Sequence, residues 1–143
     1  MGHPHCRTIA AITVLMIAAG CRPEPSPSIP WQPSFPLALE TARKEGKPVF
    51  LYISAAWCTI CRRVERDSFG DPEVVSSLGS FVPVTVDIDQ YPWVGRQYNI
   101  TAVPAFLVLD GRGQIRSFAF GFQGPDAITT MLSSAASEAT PGE

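Results

Sequence analysis

Phe35 to Glu45, FPLALETARKE, sets Leu37, Leu39 and Ala42 along a short helical stretch that Gly46 and Pro48 end, which predicts a first helix. The next run, PVFLYISA from Pro48 to Ala55, is almost continuously apolar and rich in β-branched and aromatic side chains. Such a run suits a strand buried on both faces, so it predicts the central strand of a sheet. A charged, helix-patterned stretch then reaches about Phe69, and DPEVVSSL adds a turn or two with Asp71 as N-cap and Pro72 at the first helical position. Phe81 to Ile88 alternates, but Pro83 lacks an N–H, which predicts a strand at an edge or one that begins irregularly. Tyr91 to Tyr98 predicts a short helix, with Asn99 at the left-handed cap that asparagine tolerates. AFLVLD and QIRSFAFGF flank GRG, a hairpin signal, and Pro125 to about Ala136 predicts a last amphipathic helix. Helices between strands imply parallel pairing with right-handed crossovers, and the hairpin adds an antiparallel strand. The expected fold class is α/β, three αβα layers around a mixed central sheet.

The two ends depart from this pattern. Arg7 is followed by the uncharged run TIAAITVLMIAAG, Thr8 to Gly20, which is shorter than the ~20 residues needed to span a bilayer and reads as a secretory signal peptide, residues 1–20. It ends in Ala18, Ala19, Gly20 and Cys21 and so resembles the lipobox of bacterial lipoproteins, with Ala18 standing where leucine is more usual. That resemblance implies a lipidated Cys21 as the first mature residue. Arg22 to Pro36, RPEPSPSIPWQPSFP, carries prolines at 23, 25, 27, 30, 33 and 36, so residues 21–36 are expected to be an extended linker. At ~3.1 Å per residue it would hold a domain roughly 45 Å from a membrane, with Trp31 packing locally within it. The domain is expected over 37–138 and a frayed tail over 139–143.

Composition narrows the function. A chain of 143 residues with 45% hydrophobic content holds one domain with a real core. The formal charge of −2 and the scattered basic residues argue against a nucleic-acid partner.

The chemistry is concentrated in SAAWCTICRRVE, Ser54 to Glu65, where Cys58 and Cys61 are separated by two residues. A metal clip, a structural staple and a redox centre all use such a pair. The only histidines, His3 and His5, lie in the expected signal, and with Cys6 removed and Cys21 lipidated just two thiol ligands remain, too few for a closed zinc site. No metal is therefore expected, and a cysteine–histidine hydrolase is excluded by the same absence. A disulfide across two residues closes almost no loop and so gains little entropic stabilisation. Redox chemistry fits the surroundings: Cys58 follows a buried strand and opens a helix, whose N–H groups and dipole favour a thiolate, with Arg62 and Arg63 nearby. Cys61, one turn on, is placed to attack a mixed disulfide formed on Cys58.

AAWCTIC, then ITAVPAFLVLD with Pro104, then Gly121 and Phe122 resemble the thioredoxin superfamily from about Leu37 to Leu132. KPVFLYISAAWCTICRRVERDSFGDPEVVSSL is similar to the carboxy-terminal thioredoxin domain of the bacterial transmembrane thiol:disulfide interchange reductase and to lone thioredoxin-like proteins of that group. The resemblance implies a thioredoxin fold, Cys58 as the exposed attacking cysteine, Cys61 as the resolving one and Trp57 as the residue covering the disulfide. It further implies a cis bond before Pro104 and backbone hydrogen bonds from Val103 to an extended substrate. In one departure, Tyr52 stands where many thioredoxins carry a buried aspartate six positions before the first cysteine, so the usual base is missing. Glu65 matches an acidic residue of the interchange-reductase group and is expected to take part of that role. Ala105 replaces a common threonine.

The functional expectation is an envelope thiol-disulfide oxidoreductase that reduces disulfides in exported proteins and needs no cofactor. A membrane electron donor of the interchange-reductase type would recharge it. The expected protein is a monomer facing the periplasm, lipid-anchored, and Arg22 in place of the aspartate that signals inner-membrane retention favours the outer membrane. The rivals are a thiol oxidant or isomerase and a non-catalytic thioredoxin-like binding module, with metallochaperone activity a lesser option.

Overall fold

The computed structural model describes residues 28–137. The expectations for the signal peptide, for Cys21 and for the tail 139–143 lie outside them.

Among the described residues nine elements follow in chain order: α1 (Phe35–Glu45), β1 (Val49–Ser54), α2 (Thr59–Asp67), α3 (Pro72–Leu78), β2 (Val82–Asp87), α4 (Pro92–Gln97), β3 (Ala105–Leu109), β4 (Ile115–Phe120) and α5 (Pro125–Ser137). The sheet order is β2-β1-β3-β4. β1 pairs parallel with β2 and antiparallel with β3, and β3 pairs antiparallel with β4. The mixed sheet is as expected, and β1 lies inside it because its side chains are apolar on both faces, but β3 departs from the expected parallel pairing: although α4 precedes it, it runs antiparallel to β1. Phe50 and Tyr52 point into one core with α2, α3 and α5, whereas Val49, Leu51 and Ile53 point into the other with α1 and α4. Burying each large aliphatic or Phe side chain here stabilises the fold by roughly 1.5–3 kcal/mol.

Local signals act where the sequence places them. The Ser34 hydroxyl caps α1 by accepting from the Leu37 N–H, and Gly46 closes it at φ 65°. Asp71 caps α3 by accepting from the Glu73 and Val74 N–H groups, and Asn99 adopts φ 53° after α4. β2 is an edge strand, as Pro83 requires. One boundary differs: α2 stops at Asp67 rather than reaching Phe69. Ser68 is fully buried there and donates its hydroxyl to the Gln123 carbonyl (2.7 Å), which ties the end of α2 to the loop after β4.

The expected linker needs correction. Residues 28–36 belong to the folded body: α1 begins at Phe35, Ile29 is buried, and the Gln32 N–H donates to the Pro83 carbonyl (2.8 Å) in a parallel bridge to Val84. Trp31 does not pack locally but docks on Phe50, Tyr52 and Phe69. Proline prevents helix, yet nothing in its chemistry keeps Ile29 and Trp31 off an apolar surface, and burial of their side chains offsets the ordering of the strap. Nine of the fifteen residues counted in the 45 Å stand-off are thus docked.

Candidate active site

β1 ends at Ser54 and delivers the chain to Cys58, whose N–H donates to the Ala55 carbonyl (3.0 Å). Cys58 is the N-cap of α2, in extended conformation, and its Sγ accepts the Cys61 N–H at 3.1 Å. Cys58 and Cys61 form a disulfide with Cα atoms 5.2 Å apart. Cys61 is 0% exposed and Cys58 4% exposed. Both cysteines are buried in the disulfide, so Cys58 is not the exposed residue that the resemblance implied.

Trp57 is 66% exposed, and its indole Nε1–H donates to Asp89 Oδ2 (2.8 Å) in the loop after β2. Arg62 reaches back to the same loop as Trp57, with Nη1 donating to the Ala56 carbonyl (2.8 Å) and Nη2 to Thr59 Oγ1 (3.4 Å). The pairing of Ile53 with Ala105 places Pro104 at the same end of the sheet as the cysteines. The Val103–Pro104 bond is cis. The Gly121 N–H donates to the Pro104 carbonyl (2.9 Å), and Gly121 has φ 76°, a conformation that favours glycine. Val103 packs against both cores. Arg63 lies over the Phe122 ring, 4.4 Å from its centroid, a second tie between α2 and the loop after β4.

Behind the disulfide, the position of the missing aspartate is not vacant of polar chemistry. The Tyr52 side chain is 1% exposed, and its hydroxyl lies 3.3 Å from both the Cys61 carbonyl and Glu65 Oε1. Tyr52 and Glu65 are therefore one unit, joined to the backbone of Cys61. Burial, then the adjacent Glu65 charge and hydrogen bond, push the Tyr52 phenol well above its ordinary value, so it stays protonated and acts as a donor. Sequence reasoning singled out Tyr52 as a loss and Glu65 as a lone acid; it did not see their contact. It also missed Asp89, and it placed Trp31 in local packing rather than on the domain. The only signal for Trp31 is its alternation with Ile29 in SIPWQP.

The profile of the family described as "Thioredox_DsbH: Protein of unknown function, DUF255" matches residues 22–112. The chain belongs to this thioredoxin-like DsbH family. Among curated relatives it is similar to the thiol:disulfide interchange protein DsbD of Escherichia coli strain K12, 35% identical over 74 residues that cover 49% of this chain and 13% of that protein. The match thus spans a small part of a much longer relative. Among solved structures, a DsbH oxidoreductase aligns with TM-score 0.70 and 20% identity, covering 96% of this chain and 95% of the other. A thioredoxin from Thermus thermophilus aligns with TM-score 0.71 and 24% identity, covering 78% and 90%. The fold of this DsbH-family chain is that of thioredoxin, with the Cys58–Cys61 disulfide at the N-terminus of α2.

Proposed function

We propose that this DsbH-family chain reduces disulfides of exported proteins in the bacterial envelope, anchored there by lipid on Cys21. The observation that carries the reading is the Cys61 N–H held 3.1 Å from Cys58 Sγ at the N-terminus of α2. A thiolate on Cys58 keeps that hydrogen bond and gains the helix dipole, whereas a thiol gains less from either, so the ionised form is favoured.

In the reduced pair, the Cys58 thiolate attacks one sulfur of a client disulfide. A Cys58–client S–S bond forms, the client S–S bond breaks, and the departing client sulfur takes a proton. Cys61 then loses its proton and attacks Cys58 Sγ, releasing the second client thiol and closing the Cys58–Cys61 disulfide. Two electrons pass from the pair to the client, so a dithiol donor must reduce the pair before the next cycle. Trp57, Val103 and cis-Pro104, at one end of the sheet with the pair, are the surface on which an extended client segment would lie. Glu65 is the acceptor for the Cys61 proton, directly or through water.

The similarity to an interchange protein supports exchange, and the direction rests on the reduction potential. Equilibration of the purified domain against a glutathione series is expected to give a value near thioredoxin's, about −270 mV; one near about −120 mV, that of a strong oxidant, reverses the assignment. Anchoring is tested separately: Cys21→Ser is expected to release the protein from membranes, and a serine variant that still sediments with them removes the anchor.

A further inference from the structure

The strap that precedes α1 ends in the rear wall of the redox centre. Trp31 meets Phe69 edge-on with ring centroids 5.2 Å apart, and Phe69 meets Tyr52 edge-on at 4.8 Å. Trp31 also contacts Tyr52 directly, at 6.4 Å. Ile29, Trp31, Tyr52, Glu65, Phe69 and Thr85 line a cavity of about 530 Å³. Cys61 has no exposed surface, so the proton it sheds on attack has to leave through the protein. Tyr52 and Glu65 link its backbone to this cavity.

We propose that the strap is part of the redox centre and that Trp31 is a positioning residue for the second step of exchange. Its indole holds Phe69 and Tyr52 so that the Tyr52 hydroxyl stays between the Cys61 carbonyl and the Glu65 carboxylate. The inference rests on the exchange chemistry proposed above. In that step the Cys61 thiol passes its proton to Glu65 or to water beside it, its sulfur bonds to Cys58 Sγ, and the Cys58–client bond breaks with its electron pair leaving on the client sulfur. The client sulfur is then protonated. Edge-to-face pairs depend on ring orientation, so loss of the indole frees both Phe69 and Tyr52. The Cys58 sulfur is held by the Cys61 N–H and has no hydrogen bond to Tyr52 or Glu65, so the first attack is expected to change less than the second step.

The test uses the full-length reduced protein and a cyclic peptide disulfide, with Trp57 fluorescence in stopped flow and acid-quenched mass spectrometry of the mixed disulfide. Trp31→Ala is expected to leave the first attack within about twofold and to slow the second step on the order of tenfold, the low end of what is lost when a base is removed. Trp31→Phe, which keeps a ring, should restore most of the second step. A folded Trp31→Ala protein with both steps unaltered, or both slowed equally, overturns the proposal. If that variant does not fold, Trp31→Leu takes its place with the same expected split and the same overturning results. A wild-type protein that performs neither step removes the exchange reading itself, an outcome distinct from a normal wild type with an unaffected variant.

Discussion

The surroundings of Cys58 and those of Cys61 are built from different materials although the residues are only one helical turn apart. Around Cys58 the hydrogen bonds are made by backbone, its own N–H on the Ala55 carbonyl and the Cys61 N–H on its Sγ, and the cis bond before Pro104 lies at the same end of the sheet. Behind Cys61 they are made by side chains from the strap, from β1 and from α2 and its end, meeting as Trp31, Tyr52, Glu65 and Phe69. Backbone geometry survives most substitutions. A side-chain cluster does not, since each member is held by the others. The first step of exchange is thus expected to be robust to substitution around it, and the second to be sensitive.

The largest effect that divides the two regions comes from the cysteines themselves. Cys61→Ser is expected to accumulate mixed disulfides with client proteins, because attack by Cys58 survives and resolution does not. Cys58→Ser should accumulate almost none, since Cys61 is fully buried. Non-reducing gels of extracts from cells expressing each variant make the measurement, and equal trapping by the two would erase the distinction between front and rear.

A smaller effect tests the rear alone. Glu65→Gln keeps the shape and can still accept the Tyr52 hydroxyl proton in a hydrogen bond, but it is no base. Resolution is expected to slow by about 10²-fold, within the range for loss of general base help, with the first attack unchanged. Unaltered rates for both steps would leave water as the acceptor and Glu65 as a helix residue with a tyrosine neighbour.

The same division explains what could be read from the sequence. Helices, strands and caps follow from local rhythm and from Ser34, Asp71, Gly46 and Asn99, and each appears where its chemistry puts it. Much of the front of the site was legible for the same reason, since strand, two cysteines and helix are contiguous, whereas Pro104 was marked only by the family resemblance and is brought to them by the order of the sheet. The rear was not, because Trp31, Tyr52, Glu65 and Phe69 are separated in the chain and have no common spacing. Six prolines in the linker also hid a docked strap, since composition reports what a segment cannot form and is silent about the surface it can cover. Tyr52 illustrates the limit most clearly. Its identity revealed the missing aspartate, and only the contacts at 3.3 Å reveal that it carries a proton donor to the same place.

The smallest effect concerns that donor and lies at alkaline pH. Burial and the neighbouring Glu65 raise the Tyr52 phenol above the ordinary value of about 10 that it recovers on unfolding. The folded state therefore holds this proton more tightly than the unfolded state does. Stability from the neutral phenol is fully present below pH ~10 and is lost as pH rises beyond it, because the unfolded chain ionises there while the folded one cannot without exposing a phenolate beside a carboxylate. Between pH 6 and 9 the phenol contributes no slope. The Tyr52→Phe variant loses the hydrogen bonds to Cys61 and Glu65, at a cost of about 1 kcal/mol near neutrality, and with them this particular alkaline sensitivity. Urea midpoints measured from pH 7 to 11 should show the gap between wild type and Tyr52→Phe narrowing above pH ~10. A gap that stays constant across that range would mean that the phenol is no better a proton holder in the fold than in water, and the rear of the site would then be less tightly packed than its contacts imply.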